Sequence, residues 1–207
     1  MSTRTLYHHP LSGHAHRAEV ALSLFGIPFT IHRVDLIARS HKSPEYLAMN
    51  AFGQVPVLVD EDGTVVADSN AILVYLAARY DSARAWLPTD PAGQAAVQRW
   101  FSVAAGQLAY GPAAARRALV FKRPADMDAL IAASHALLGV IEQELTGDWL
   151  VGNRPSLADI SMYTYVALAP EGNVSLDDYP RVRAWLARFE ALPGFVPMTR
   201  SAVGLQA

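Results

Sequence analysis

Three short segments carry the residue types that could do chemistry. The first is the loop His8-His9-Pro10-Leu11-Ser12-Gly13, which leads into a helical pattern starting at His14. Ser12 sets a hydroxyl beside the free N–H groups of a helix N-terminus, where it either caps the helix or helps to hold an anion. The second is Asn50-Ala51-Phe52-Gly53-Gln54-Val55-Pro56-Val57-Leu58. A proline entering a strand lacks a ladder donor, so it belongs at an edge or a turn. If the Val55–Pro56 bond is cis, the Val55 backbone turns outward and offers its N–H and C=O to a ligand; the alternative is a plain turn. The third is Ala67-Asp68-Ser69-Asn70. Asp68 and Ser69 can simply cap a helix, or the helix N-terminus can take an anion while Asp68 takes an ammonium. Together they would receive a group bearing both charges, such as an amino-acid end.

Histidines 8, 9, 14 and 16 are close enough in sequence to suggest a metal cluster. With no cysteine and no carboxylate among them, solvated or helix-capping roles are the better reading, and no metal is expected.

The elements that must position these groups change style along the chain. Over the first eighty residues strands and helices alternate: strands at 4–7, 29–34, 55–59 and 64–67, helices at 14–25, after Ser43-Pro44, and from Asp68 or Ser69 to Tyr80. Residues 81–91, with two prolines and no periodicity, read as a linker. Beyond them no strand pattern occurs, and helices are expected over 92–110, 124–145, 156–169 and 178–191. Ser156-Leu157-Ala158-Asp159 has the form of a capping box with Asp in place of Glu. The expected fold is therefore α/β plus all-α: a domain over 1–80 with a mixed four-stranded sheet, and a helical domain over 92–207.

Composition narrows the function. The 207 residues are 52% hydrophobic and 17% charged with net charge −2, a globular composition without the basic stripe that nucleic acid requires. Cysteine is absent, which removes disulfides, thiolate metal sites and a protein thiol nucleophile. The N-terminus has no apolar signal core, and the longest apolar run, Ala71 to Ala78, is far below the ~20 residues that span a bilayer. A cytoplasmic protein bound to neither membrane nor nucleic acid is expected.

Taken with Ser12 and His41-Lys42-Ser43-Pro44-Glu45, the second and third segments resemble the glutathione S-transferase family over almost the whole chain. The resemblance implies a thioredoxin-like N-terminal domain, a helical C-terminal domain, a homodimer, and glutathione as co-substrate. It assigns Gln54, Val55 and Pro56 to the glutathione backbone, Asp68 and Ser69 to the γ-glutamyl end, and His41 and Lys42 to the glycine carboxylate. Ser156–Asp159 matches a family landmark in the helical domain. The catalytic hydroxyl is expected at Ser12, which precedes Arg17 by the five positions seen in serine-type members such as the zeta class. Tyr7 is the rival, although matching Pro10 and Gly13 to tyrosine-type classes puts His8 in that place. Asp68 departs from the usual Glu by one methylene, so its carboxylate must come closer or act through water. Tyr110 is a candidate for the acceptor pocket and Phe52 for the side chain that locks the dimer. The implied activity is attack of the glutathione thiolate on a small hydrophobic electrophile, with an isomerase or dehalogenase as variants. The alternative is a non-catalytic binding or regulatory module of the same fold.

Overall fold

A computed structural model describes residues 3–206. Its chain forms two compact units, one running through Arg84 and including Pro193–Met198, the other Ala85–Leu192 with Thr199 onward.

In the first unit the elements follow as β1 (Thr5–His8), α1 (Gly13–Leu24), β2 (Thr30–Arg33), a short α2 (Pro44–Met49), β3 (Val57–Val59), β4 (Val65–Ala67) and α3 (Ser69–Tyr80). The sheet order is β2-β1-β3-β4. The pair β1–β2 is parallel, with Leu6 opposite Ile31; β3 runs antiparallel to both β1 and β4, with Leu58 opposite Leu6 and Val66. The sheet is mixed, as expected: the β1–β2 pair joined through α1 is parallel, and β3 and β4 form an antiparallel hairpin.

Side-chain alternation splits the sheet into two faces. Leu6 and Leu58 are wholly buried, as are Leu22 of α1 and Ile72, Leu73 and Leu76 of α3. Their neighbours in sequence point the other way: Tyr7 and Val57 pack with Val34, Tyr46, Met49 and Val55. Local signals set the helix starts. Ser43 Oγ accepts the Tyr46 N–H and Pro44 occupies the first turn of α2, while Asp68 caps α3. Strand β3 begins at Val57 rather than at Val55, because Pro56 has no N–H to give the ladder.

The second unit holds α4 (Pro91–Val103), which runs on through one wide π turn (Ala104–Leu108), then α5 (Pro112–Val120), α6 (Met127–Glu144), α7 (Leu157–Ala167) and α8 (Pro180–Glu190). Helix α5 is not expected from sequence. Gly111-Pro112 looks like a break, yet the proline opens a helix whose small face packs on the turn at Ala169–Gly172. A Cβ on Gly172 would stand 2.7 Å from the Arg116 nitrogen, so only glycine permits the approach. Every residue of α7 is buried, which is why it shows no polar face, and the Ser156–Asp159 capping box forms as expected. Asp159 also accepts the Trp185 indole N–H at 2.9 Å.

One segment moves between units relative to the sequence reading. Pro193–Met198 belongs to the α/β unit, where His16 Nε2 lies 2.8 Å from the Val196 carbonyl and Ser23 Oγ donates to that of Gly194. Among the described residues no helix is long and apolar enough to cross a membrane.

Candidate active site

The loop between β1 and α1 is tied down residue by residue. The Ser12 N–H donates to the His9 carbonyl (2.9 Å), and the Leu11 N–H donates to Nδ1 of the buried His9 ring (3.2 Å). Ser12 Oγ then accepts the Ala15 N–H at 3.2 Å as the cap of α1. Capping uses an oxygen lone pair, so the hydroxyl proton remains for a second acceptor at the positive end of the helix dipole. Cap and anion ligand are therefore compatible roles for one residue.

The start of α3 is brought to the start of α1 by Arg17. Its side chain is 2% exposed, and Nη1 donates to Ser69 Oγ (2.8 Å) and Asn70 Oδ1 (3.1 Å). His14, in the first turn of α1, has Nδ1 3.5 Å from the same Ser69 oxygen. Two helix N-termini thus meet around one buried serine. Asp68 beside it adopts φ 79°, a strained backbone for a residue with a Cβ, which costs on the order of 1–3 kcal/mol and is typical of functional sites. Its Oδ1 takes the N–H groups of both Asn70 (2.8 Å) and Ala71 (3.0 Å).

The third wall is the loop before β3. The Val55–Pro56 bond is cis, and the Gln54 carbonyl is held by the Tyr46 hydroxyl and by Asn50 Nδ2, each at 2.9 Å. Gly53 has φ 56°, and a Cβ there would stand 2.6 Å from the His41 carbonyl and 2.7 Å from Lys42 Nζ. That close approach seats the His41–Lys42 turn against the loop, and Lys42 Nζ donates to the Phe52 carbonyl (3.0 Å). Desolvation, then the charges of Lys42 and Arg39, lower the pKa of His41 from its ordinary value.

Ser12, His41, Lys42, Gln54, Val55, Pro56, Asp68 and Ser69 all fall in these three segments of the α/β unit. Tyr7 stands on the opposite face of the sheet from Leu6. Its ring lies 4.6 Å from that of His32 and edge-on to Tyr46 within the Val34–Val57 cluster, a packing role. Tyr110 is in the helical unit and 73% exposed. The histidines correct the sequence reading. His8, His9 and His16 are buried rather than solvated, and His8 Nε2 lies 3.1 Å from a carboxylate, that of Glu19. Burial alone would raise the Glu19 carboxyl; the contact with His8 and the charge of His16 outweigh it and leave its pKa lowered.

Two family models match successive parts of the chain: "Glutathione S-transferase, N-terminal domain" over residues 11–79 and "Glutathione S-transferase, C-terminal domain" over 96–193. The chain belongs to the glutathione S-transferase family. It is 34% identical to glutathione S-transferase 3 of Zea mays, over 94% of this chain and 92% of that one. A maleylacetoacetate isomerase of Pseudomonas aeruginosa is 31% identical over 92% of each. Among solved structures, a glutathione S-transferase from Pseudomonas fluorescens matches with TM-score 0.90 at 31% identity, over 96% of this chain and all of that one. The family's two-domain architecture is therefore the fold observed.

Sequence reasoning missed three residues that gather around Ser69. Arg17 served only to mark spacing, although an arginine in register with Ala18, Ala21 and Leu22 of the helix is a signal for a buried polar partner. Asn70 and His14 gave no comparable signal, since their roles depend on which residues α1 and α3 bring together.

Proposed function

We propose that this protein is a glutathione transferase in which Ser12 stabilises the glutathione thiolate for attack on an electrophilic carbon. The observation that carries the reading is the arrangement at Ser12: a hydroxyl that caps α1 through its lone pair and retains its proton, at a positive helix end. Asp68 and Ser69 take the ammonium and carboxylate of the γ-glutamyl end, Val55 pairs with the peptide backbone beside Gln54 and Pro56, and His41 and Lys42 take the glycine carboxylate. Tyr110 offers an exposed ring to the acceptor.

The magnitudes suffice. A thiol with pKa of about 8.5 is roughly 3% thiolate at pH 7, and a drop of ~2 units, worth about 2.7 kcal/mol, makes roughly three quarters of it thiolate. A hydroxyl donated to an anion supplies about 1.5–3 kcal/mol and the helix end about 0.3–1 kcal/mol more. The thiol proton leaves to water, the sulfur bonds to the carbon, and the leaving group departs with its electron pair. The isomerase relative supports a variant outcome, in which the thiolate adds to a double bond and is released again. The protein acts in the cytoplasm, where reduced glutathione is held.

Ser12→Ala should raise the pKa of the bound thiol, read by thiolate absorbance, and cut turnover about ten- to a hundred-fold by removing about 1.4–2.7 kcal/mol. As a lost cap it should also destabilise the fold by about 0.5–2 kcal/mol. Lower stability with normal turnover per folded molecule would make Ser12 a cap only, and loss of the thiolate in Tyr7→Phe instead would reassign the hydroxyl.

The active form is a homodimer. Phe52 is 80% exposed, so its ring does not pack within its own chain, and it serves as the anchor for the partner. Phe52→Ser should convert a dimer of about twice 22.4 kDa into a monomer by light scattering; a wild type already monomeric at micromolar concentration would end the idea.

A further inference from the structure

We propose that His14 is a further glutathione-contact residue, its imidazole joining Ser69 on the α-carboxylate of the γ-glutamyl end; this rests on the glutathione reading above. Ser69 Oγ already accepts from Arg17 Nη1 at 2.8 Å, and its hydroxyl still has a proton to donate. His14 Nδ1 lies 3.5 Å from that oxygen, at the outer limit of a hydrogen bond. Two donors at that separation can share a single acceptor oxygen at ordinary distances of about 2.8 Å from each, because the triangle closes. In the tautomer with its proton on Nδ1, His14 is such a donor without carrying charge.

A carboxylate oxygen is the chemistry that fits the shared position. It accepts from both groups, it is anionic beside the Arg17 guanidinium, and it lies at the N-terminal ends of α1 and α3, where negative charge is favoured. An ammonium at the same point would oppose Arg17. The opposite charge of the amino-acid end goes to exposed Asp68 next door, so two different side chains read the two charges. His14 in this role sets specificity: it selects ligands with a free carboxylate at the γ-glutamyl end.

The test is a calorimetric titration with two probes, S-methylglutathione, which has no titrating thiol, and its analogue lacking only the α-carboxylate, γ-aminobutyryl-S-methylcysteinylglycine. His14→Ala should weaken S-methylglutathione about ten- to a hundred-fold, the range for a hydrogen bond to a charged group, and leave binding of the analogue unchanged. His14→Asn, which keeps a side-chain N–H, should recover much of the loss. A penalty equal on both ligands would make His14 a structural prop, and no penalty on either would remove it from the site; each result overturns the proposal. If the alanine variant fails to fold, His14→Gln and His14→Leu, closer in bulk, make the same comparison. Failure of the wild-type protein to bind S-methylglutathione would instead overturn the glutathione reading itself, and this inference with it.

Discussion

Asp60 and Asp68 show two uses of the same side chain within one unit. Asp60, just after β3, has no exposed side-chain surface. Its Oδ1 takes Arg4 Nε and the Glu61 N–H, each at 2.8 Å, and its Oδ2 takes the hydroxyls of Tyr75 and Tyr80. Burial alone would raise this carboxyl, but the two tyrosines, the Glu61 N–H and Arg4 outweigh it and bring its pKa down to about 2. The cost appears on Tyr75, pushed up to about 12 by burial and by Asp60. Asp68 is exposed and strained, and both of its hydrogen bonds fall on Oδ1. A carboxylate saturated from within the chain holds the fold together, and one engaged on a single oxygen keeps acceptor capacity for another group.

The largest effect should come from emptying the saturated site. Asp60→Ala leaves Arg4 buried without its carboxylate, a loss of about 3–5 kcal/mol, read from the midpoint of denaturant unfolding. The acid behaviour has a defined sign. The folded pKa lies below the unfolded value of about 3.9, so the stability Asp60 confers is complete above that pH and drains away as pH falls toward 2. The variant should therefore lose part of the acid sensitivity of the wild type. An unmoved midpoint would mean that the network is idle.

Asp68→Asn should act in the opposite way. Asparagine caps as well as aspartate and tolerates positive φ, so the unfolding midpoint should hold. Glutathione affinity should fall about tenfold, or ~1.4 kcal/mol, because the ammonium loses its counter-charge. Unaltered affinity by calorimetry would leave Asp68 a cap and dissolve the contrast.

The smallest effect belongs to the rim of the Asp60 network. Arg79 reaches Asp62 at 2.8 Å and Asp60 at 3.4 Å from an exposed position, where solvent and salt screen the attraction. Arg79→Ala should leave the midpoint nearly unmoved at physiological salt. A shift as large as that of Asp60→Ala would show that the network extends to its surface members.

The two aspartates also separate what is legible in the chain from what is not. Asp68 stands out in the sequence alone, because a carboxylate followed by a serine at a helix start is a contact between residues two or three positions apart. The same holds for Ser12, Ser43 and the Ser156–Asp159 box, all of which cap the helices that follow them. Asp60 carries no such signal. Its partner Arg4 is 56 residues away, and nothing near it in sequence marks it as more than the end of a strand. The same gap hides α5, whose alanines show no pattern until the turn at Ala169–Gly172 packs against them. It also hides the burial of the histidines, which depends on Glu19 and on Val196 returning from the far end of the chain.

By itself, then, the sequence determined the order of the elements in the α/β unit, the side-chain-capped helix starts and the family to which the chain belongs, because caps, turns and hydrophobic periods are interactions of neighbours along the chain. Tertiary structure alone decided which helix ends meet, that Tyr7 packs against α2 while Ser12 keeps a proton to donate, and that Arg17 crosses 52 residues to hold Ser69. The reason is physical. A buried polar side chain must find a partner when strands pair and water leaves, and that partner is set by the fold's geometry, to which sequence distance gives no guide.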